Sequence, residues 1–239
     1  MTQKKLTQAD TGPYNNDKEL YNKLVNELYE KHPDGVCLPP EYADFVENNL
    51  MQMLIRLARY KFITRLIKKT DRVLEVGCGS GLGSNFLAQH CAEVVGLDVK
   101  PHEIKEAQSY SKRANVRFEL GDFFDFSEQE KFDVILTVDV IEHMMVEVGH
   151  KLVQKASKLV SPTGFFVCGT PSIYSYRHQS PLSQASHIQC YDRDELVKLI
   201  ENYFQRTLPF SMNDELVHTG YHKMAWYYFI LGLSPVISK

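Results

Sequence analysis

Three glycines at alternating positions form the first pattern in the chain that could do chemistry. The segment Glu75-Val-Gly77-Cys-Gly79-Ser-Gly81 follows a short apolar run and precedes a helical pattern. Glycine is needed where the backbone turns sharply and must approach a ligand closely. Glycine-rich turns occur in nucleotide-binding folds of many kinds, and the spacing here departs from the dinucleotide fingerprint G-x-G-x-x-G. On their own, these glycines indicate either a nucleotide-like ligand or only a tight turn of the backbone without a ligand.

Acidic residues further along the chain favour a cofactor over a simple turn. Asp98 ends the second predicted strand, where a carboxylate can accept hydrogen bonds from both ribose hydroxyls. Asp122 and Phe123 follow the third predicted strand, where an acidic side chain and an aromatic ring could hold an adenine. Open α/β sheets bind ligands at the carboxyl ends of their strands, so we expect these segments to meet at one edge.

A second group of chemically active residues, Asp139-Val-Ile-Glu142-His143, follows the fourth predicted strand. If a helical turn begins there, residues 139, 142 and 143 share one face. Two carboxylates and one imidazole directed at one point could bind a divalent metal. A later histidine, His187, precedes a helix that Asp192 could cap. In the alternative without a metal, His143 is a general base or only lines the pocket.

The elements that must position these residues follow an α/β pattern. Short apolar runs predict strands at 72–76, 93–97, 116–120, 132–138 and 164–169, and helical periodicity lies between them. Such alternation predicts a doubly wound, mostly parallel sheet. The tail differs, because the strand candidates 204–212 and 223–233 are joined only by a loop. They predict an antiparallel hairpin at one side of the sheet.

The first 70 residues have a different pattern from the rest. Apolar residues recur at helical spacing in 14–31 and 41–69, whereas residues 1–13 are polar and predicted to be disordered. We therefore predict an N-terminal helical cap over residues 1–70 and a cofactor-binding core over 71–239.

Composition limits the function classes further. The chain has 239 residues and a formal net charge of -3, which argues against nucleic acid as a partner. Five cysteines without a C-x-x-C pair, and a polar N-terminus, predict reduced thiols and a cytoplasmic protein. The longest apolar stretch, 224–237, is too short to span a bilayer, so we expect a buried strand there rather than a membrane contact.

Taken in order, four segments resemble the successive motifs of class I S-adenosylmethionine (SAM)-dependent methyltransferases over roughly residues 50–210. They are Leu74-Glu-Val-Gly-Cys-Gly-Ser-Gly81, Val95-Gly-Leu-Asp98, Gly121-Asp122 and Phe132-Asp-Val-Ile-Leu-Thr-Val-Asp-Val-Ile-Glu-His143. The resemblance implies a Rossmann-like, seven-stranded sheet that ends in an antiparallel strand. It also implies the cofactor contacts: Gly77, Gly79 and Gly81 at the methionine portion, Glu75 at its amino group, Asp98 at the ribose, and Asp122 with Phe123 at the adenine.

The second group resembles two metal-dependent branches of these enzymes. Ubiquinone-pathway O-methyltransferases have E-x-x-[DE]-H after the fourth strand, and small-RNA 3′-terminal 2′-O-methyltransferases have E-x-x-E-H with a later histidine. The resemblance implies Asp139, Glu142, His143 and His187 as ligands of Mg, Mn, Fe or Zn, and the last three as catalytic residues. Asp139 departs from the expected glutamate and is one methylene shorter, so it reaches less far or acts through water.

Three further residues could contact the ligands. Tyr14 and Arg59 could close over SAM from the helical cap, since the arginine fork matches a carboxylate. In the alternative, Arg59 is a surface residue of its helix. Tyr174, after the fifth predicted strand, should border the acceptor pocket or else pack within its loop.

These observations predict a methyltransferase that acts on a hydroxyl of a small-molecule or sugar-like acceptor. A quinone or surface-polysaccharide precursor is the family-level expectation for that acceptor, and the protein is expected to be a monomer or a homodimer. Two alternatives stay open. The enzyme could methylate an amine without a metal, or the chain could bind SAM without catalysis.

Overall fold

The structure, a computed structural model, describes residues 18–33, residue 35 and residues 38–236. The predictions for residues 1–13 and for Tyr14 lie outside these ranges. The described strands are β1 (Arg72–Val76), β2 (Glu93–Asp98), β3 (Val116–Leu120), β4 (Phe132–Val138), β5 (Val160–Pro171), β6 (Phe204–Asn213), β7 (Leu216–His218) and β8 (Tyr227–Pro235). The described α-helices are α1 (Lys18–Lys31), α2 (Pro40–Asn48), α3 (Leu50–Thr64), α4 (Leu82–Leu87), α5 (Pro101–Tyr110), α6 (Val146–Leu159), α7 (Pro181–Ser186) and α8 (Arg193–Glu201).

All eight described strands belong to one sheet, in the order β3-β2-β1-β4-β5-β8-β6-β7. The first five strands in the chain pair in parallel, and β8 lies antiparallel between β5 and β6. The predicted doubly wound, mostly parallel fold with an antiparallel C-terminal hairpin is confirmed. The described sheet has eight strands instead of the predicted seven, because the short strand Leu216–His218 pairs with β6 at the edge.

The helical pattern over 41–69 is divided into two helices. Asn49 interrupts it with a non-helical backbone, and its side chain accepts a hydrogen bond from the Gln52 amide at 3.2 Å. This is ordinary N-capping, which begins a new helix and turns its axis. None of the described helices combines the length and the apolar character that crossing a membrane requires.

The core lies on both faces of the sheet, because the parallel strands are buried on both sides. On one face, Leu74 and Ile135 pack with residues from α6 and α8. On the other face, Val73 and Val134 pack with Ile63 from α3. Alternate residues of one strand therefore face different helical layers, and the carboxyl ends of the strands remain free to carry the site.

The described residues fall into two compact units that divide after Leu38. The first unit contains α1, whose apolar side chains Leu24, Leu28 and Tyr29 are exposed. The second unit begins at Pro39 and contains α2 and α3 together with the sheet. The domain boundary that the sequence predicts after residue 70 stays a prediction.

Candidate functional site

The glycine turn between β1 and α4 has a backbone that other residues adopt only with strain. Gly77, Gly79 and Gly81 have φ angles of 75°, 52° and 82°. A Cβ at residue 77 would lie 2.4 Å from the Val140 side chain, and one at residue 81 would lie 2.6 Å from the Phe118 ring. Side chains pack closely against the turn. Glycine is therefore required there both for its backbone conformation and because a Cβ would collide with those side chains.

Asp98, at the end of β2, is tied directly to the glycine turn. One carboxylate oxygen accepts a hydrogen bond from the Gly79 amide at 2.9 Å. The other accepts from the Lys100 amide, also at 2.9 Å. The two segments that the sequence predicts to share a site are thus in contact, and the half-buried carboxylate is held in a fixed position beside the turn.

Glu75 is a buried carboxylate at the start of the turn, with 1% of its surface exposed. The Tyr60 hydroxyl donates to one of its oxygens at 2.8 Å, and the Ser84 hydroxyl donates to the other. Burial is the largest cause that raises the pKa of Glu75, the hydrogen bonds from Ser84 and Tyr60 lower it, and the charge of Asp98 raises it; the net pKa is about 7. The side chain is therefore poised to exchange a proton near neutral pH.

The predicted adenine-binding residues differ in their surroundings. Asp122, after β3, accepts a hydrogen bond from the Phe124 amide at 2.8 Å and stabilises the turn there. The ring of Phe123 is buried in the core with Val76 and Leu97. Its ring therefore forms part of the core, whereas the sequence predicts a ring that faces the ligand.

Asp139 and Arg59 bind each other. Asp139, directly after β4, has a φ angle of 57°, and its Oδ2 accepts from the Arg59 guanidinium of α3. The same guanidinium lies 4.1 Å from the ring centre of Tyr227. Arg59 is thus largely buried rather than a surface residue, and one of its nitrogens is paired with Asp139 while its Nε has no partner. Its predicted contact with the cofactor stays a prediction.

Glu142, His143 and His187 converge, as the sequence predicts for three of the four proposed ligands. One potential ligand atom from each lies within 4.8 Å of the others. Asp139 does not belong to this group, since its carboxylate is directed to Arg59. The four-residue set implied by the resemblance is therefore reduced to one carboxylate and two imidazoles.

Hydrogen bonds fix the orientation of both imidazoles. His143 Nδ1 lies 2.9 Å from the Ser186 carbonyl oxygen, and His187 Nδ1 lies 2.8 Å from Gln179 Oε1. Both partners are acceptors, so each Nδ1 carries the proton and each Nε2 keeps a lone pair. The ring centres are 5.0 Å apart. Gln179 and Ser186 are not predictable from the sequence, because residues that orient a histidine carry no motif of their own.

Glu142 is buried, and only one of its oxygens has a partner. Oε2 accepts from the Thr170 hydroxyl at 3.0 Å, and Oε1 has no hydrogen-bond partner. Burial, followed by the charge of Asp139, raises the pKa of Glu142 well above its usual value. A buried carboxylate oxygen without a partner is rare in folded proteins, and a cation is one ligand that would satisfy it.

A cavity of about 490 Å³ opens at His187, the one of these three residues that lines it, and its size suits a small molecule. Its walls come from α2, α3, the 171–187 segment and residues 212–227, and they include Arg59, His187, Trp226 and Tyr227. Tyr174 lines a neighbouring, more open cleft that also contains His187. The Tyr174 hydroxyl donates a hydrogen bond to Asp192 at 2.8 Å, and this bond holds the Tyr174 side chain at the edge of the cleft.

A mostly parallel α/β sheet with a glycine turn after β1 and an acidic residue after β2 defines a Rossmann-like cofactor-binding protein. Residues 67–210 match the sequence profile described as "Methyltransferase domain". The chain therefore belongs to the methyltransferase domain family, and it is a class I SAM-dependent methyltransferase by fold and motif.

Curated relatives that match the chain are ubiquinone biosynthesis O-methyltransferases. The protein of Azorhizobium caulinodans is 38% identical over 102 residues, which is 41% of this chain and 40% of that protein. A Coxiella burnetii protein is 31% identical over 115 residues, 46% of this chain and 48% of its own length. The chain thus matches half or less of the length of these curated relatives.

Solved structures support the fold. The N-methyltransferase NodS from Bradyrhizobium japonicum, in complex with S-adenosyl-L-homocysteine, has a TM-score of 0.59 at 19% identity, covering 76% of this chain and 88% of that one. The methyltransferase domain of bacterial CtHen1-C has a TM-score of 0.63 at 16% identity, covering 75% and 99%. Identities this low show the fold alone, and the acceptor follows from neither structure.

Proposed function

We propose that this protein transfers the methyl group of SAM to a hydroxyl of a small-molecule or sugar-like acceptor. The observation that carries the proposal is the convergence of Glu142, His143 and His187 beside a cavity, at the same sheet edge as the glycine turn. Methyl transfer is an in-line displacement, so alignment and charge stabilisation supply most of the catalysis. The names of the curated relatives favour oxygen as the methylated atom and a quinone-type precursor as the acceptor.

The cofactor would be held as the family motifs imply. The glycine turn would contact the methionine portion, and Glu75 would balance the positive charge of its amino group. Asp98 would accept hydrogen bonds from the ribose hydroxyls, and Asp122 would contact the adenine. Arg59 would bind the SAM carboxylate only through nitrogens other than the one paired with Asp139, and its unpartnered Nε is one candidate.

The three converging residues fit a divalent cation. Glu142 Oε1 is buried without a partner, and the hydrogen bonds at Nδ1 leave both histidine Nε2 atoms available. One carboxylate and two imidazoles suit Mn, Fe or Zn, while Mg would need more oxygen ligands. When bound, such a cation lowers the pKa of the acceptor hydroxyl. Gln179 and Ser186 would keep the imidazoles in the required tautomer.

A metal-free reaction at an amine is the second candidate. Burial, followed by the nearby His143, lowers the pKa of His187, so this imidazole stays neutral and can accept a proton. An amine acceptor requires only such a base or no base at all.

Two further expectations stay predictions. They are the cytoplasmic location inferred from the cysteines and the assembly as a monomer or a homodimer.

Metal analysis and product detection test the proposal together. Protein purified without chelator is assayed with SAM against catechols, sugars and amines, before and after EDTA. We expect a methylated hydroxyl, a bound divalent metal, and restoration of EDTA-treated protein by added metal. Glu142→Gln should lower kcat by about 100-fold while SAM affinity is unchanged. The exposed Glu147, on α6, provides the matched control Glu147→Gln.

Each alternative gives a different result in this experiment. Activity that survives EDTA and Glu142→Gln, with methylated amines as products, would support the metal-free N-methyltransferase. Calorimetric binding of SAM without product from any acceptor would support a SAM-binding protein that lacks catalysis.

A further inference from the structure

Arg177 differs from the other arginines near the candidate site, because its guanidinium has no acidic partner among the described residues. Arg56, on the wall of the 490 Å³ cavity, pairs with Glu41 at 2.8 Å. Arg59, on the same wall, pairs with Asp139. Arg177 lines the neighbouring cleft and is exposed, and its side chain forms no ion pair or hydrogen bond within the part of the chain that the structure describes. Its fork of donors is therefore available to an anion that enters the cleft.

The charges that line the cleft favour a negatively charged group. The cleft has a volume of about 840 Å³, and its described walls consist of Ile173, Tyr174, Tyr176, Arg177, His178, His187, Ile188, Gln189 and Cys190. None of these residues is acidic, and Arg177 is the permanently charged one among them. The 490 Å³ cavity differs, since Glu41, Asp44 and Asp214 lie on its walls. An anion is therefore favoured in the cleft and disfavoured in the cavity.

Exposed apolar side chains surround Arg177 in the cleft. Ile173, Tyr174, Tyr176 and Ile188 all belong to the exposed large apolar residues of the protein. Residues 173–178 form a 3-10 helix, in which side chains three positions apart lie on the same face, so Tyr174 and Arg177 share a face. A contiguous group of exposed apolar side chains is typical of a binding surface. The cleft therefore suits a ligand that combines an apolar body with an anionic group.

The cleft is continuous with the candidate catalytic group. His178 and His187 line both the cleft and the 490 Å³ cavity. His187 also converges with Glu142 and His143. A ligand whose hydroxyl lies at these three residues can therefore extend past His187 towards Arg177.

We propose that the acceptor is an amphipathic anion, whose carboxylate or phosphate binds Arg177 while its apolar part lies against the exposed tyrosines and isoleucines of the cleft. Arg177 determines specificity and takes no part in the chemistry. The proposal rests on the proposed function, because it takes the methylated hydroxyl to lie beside His187. It implies that a neutral acceptor of the same shape binds more weakly than the anion.

The test measures binding by calorimetry, which needs no activity, to the full-length protein purified without chelator and loaded with S-adenosylhomocysteine. The probes share one catechol ring. Protocatechuate carries a carboxylate, the corresponding phosphonate stands for a phosphate, and protocatechuamide has nearly the shape of protocatechuate without its charge. We expect the better anionic probe to bind about 10-fold more tightly than the amide, as a charge-assisted hydrogen bond predicts. The order of the two anions distinguishes a carboxylate from a phosphate as the natural group.

Arg177→Gln removes the positive charge, and Arg113→Gln is the matched control. Arg113 is also exposed and without an acidic partner in the described chain, but it lines neither the cleft nor the cavity. In Arg177→Gln, the anionic probes should weaken to the affinity of the amide, while the affinities for the amide and for S-adenosylhomocysteine stay constant. Arg177→Lys should keep part of the preference, because lysine retains the charge but lacks the planar fork. Arg113→Gln should bind all probes as the wild type does.

Four results would overturn the proposal. Equal affinity of the wild type for anionic and neutral probes, or no binding of any probe, would show that the cleft does not select an anion. A preference for anions that persists in Arg177→Gln would assign their binding to another group. Loss of affinity for the amide and for S-adenosylhomocysteine in that variant would give Arg177 a structural role. The proposed function is judged separately, by methyl transfer to its acceptor panel, which includes neutral acceptors, so the two failures are distinguishable.

Discussion

Glu75 lies at the start of the glycine turn, and its side chain is buried in the protein. A carboxylate that is 1% exposed has lost its hydration, and the hydroxyls of Tyr60 and Ser84 restore only part of that stabilisation. The result is a pKa of about 7 in the absence of a cofactor. If the methionine amino group of SAM binds beside it, the positive charge favours the ionised carboxylate, and the cost of its burial is offset at that moment.

Glu75→Gln is therefore expected to change how stability depends on pH. The pKa of Glu75 is raised from 4.5 to about 7. The stabilising contribution of its protonated form is thus fully present below pH 4.5 and is lost as the pH rises through 7. This shift corresponds to about 3 kcal/mol. The free energy of unfolding of the wild type should fall by that amount relative to the variant between pH 4.5 and 8.

Urea unfolding of both proteins without SAM, at intervals of pH over this range, measures the difference. The two proteins differ only at residue 75, so the comparison isolates the effect of that carboxyl group. Two parallel curves of unfolding free energy against pH would contradict the prediction, because Glu75 would then have the same pKa in the folded and unfolded chains.

The side-chain pairs of the site show what the sequence could not reveal. The pattern after β4 predicts Glu142 and His143 together, since neighbours in sequence share a turn. It does not predict that Asp139 binds Arg59, which is 80 positions away in the chain. That contact exists because α3 packs across the end of β4, and side-chain pairing of this kind depends on the packed geometry, not on a local pattern.

At the scale of elements, the junction of β1 and α4 depends on glycine at residue 81. The residue has a left-handed backbone, and an added Cβ would meet the Phe118 ring at 2.6 Å and the Ala107 Cβ at 2.8 Å. Gly81→Ala is expected to lower the free energy of unfolding by about 2–4 kcal/mol, from backbone strain and overpacking together. Chemical denaturation measures this change.

Gly121→Ala serves as the control for that measurement. The nearest atom to a Cβ at residue 121 is 3.6 Å away, and the residue does not have a left-handed backbone. Its unfolding free energy should change by less than about 1 kcal/mol. Equal stabilities for the two variants would show that α4 and α5 can move apart to accommodate the extra carbon.

A helix or strand can be predicted from the sequence where a single hydrophobic period runs through the whole segment. The strands β1 and β4 are mostly apolar, with Arg72, Glu75 and Asp133 as their charged residues, and such short apolar runs are recognisable in the sequence. The break at Asn49 went undetected, because the apolar residues of α2 and α3 continue one helical pattern across it. The strand Leu216–His218 is only three residues long, and so short a segment has no period to detect.

At the scale of the whole molecule, the described core begins well after the chain does. The buried members of its three apolar clusters lie at Ala58 and later positions, and the partly buried Ile55 packs against one of them. The cluster on the α3 face includes Ala58, Ile63 and Ile67, which lie within the predicted N-terminal cap. A chain that starts after residue 38 keeps this cluster intact, whereas a chain that starts after residue 70 loses one wall of it.

Two truncations are expected to differ sharply for this reason. The fragment 39–239 should fold, with a free energy of unfolding within about 1 kcal/mol of the full chain, because it retains every described core residue. The fragment 71–239 should not fold, since removing Ile63 and its neighbours exposes the apolar face of β1 and β4. Circular dichroism and urea unfolding measure both. Folding of 71–239 would instead support the domain boundary predicted after residue 70, and failure of 39–239 would show that the first 38 residues are needed for the core to form.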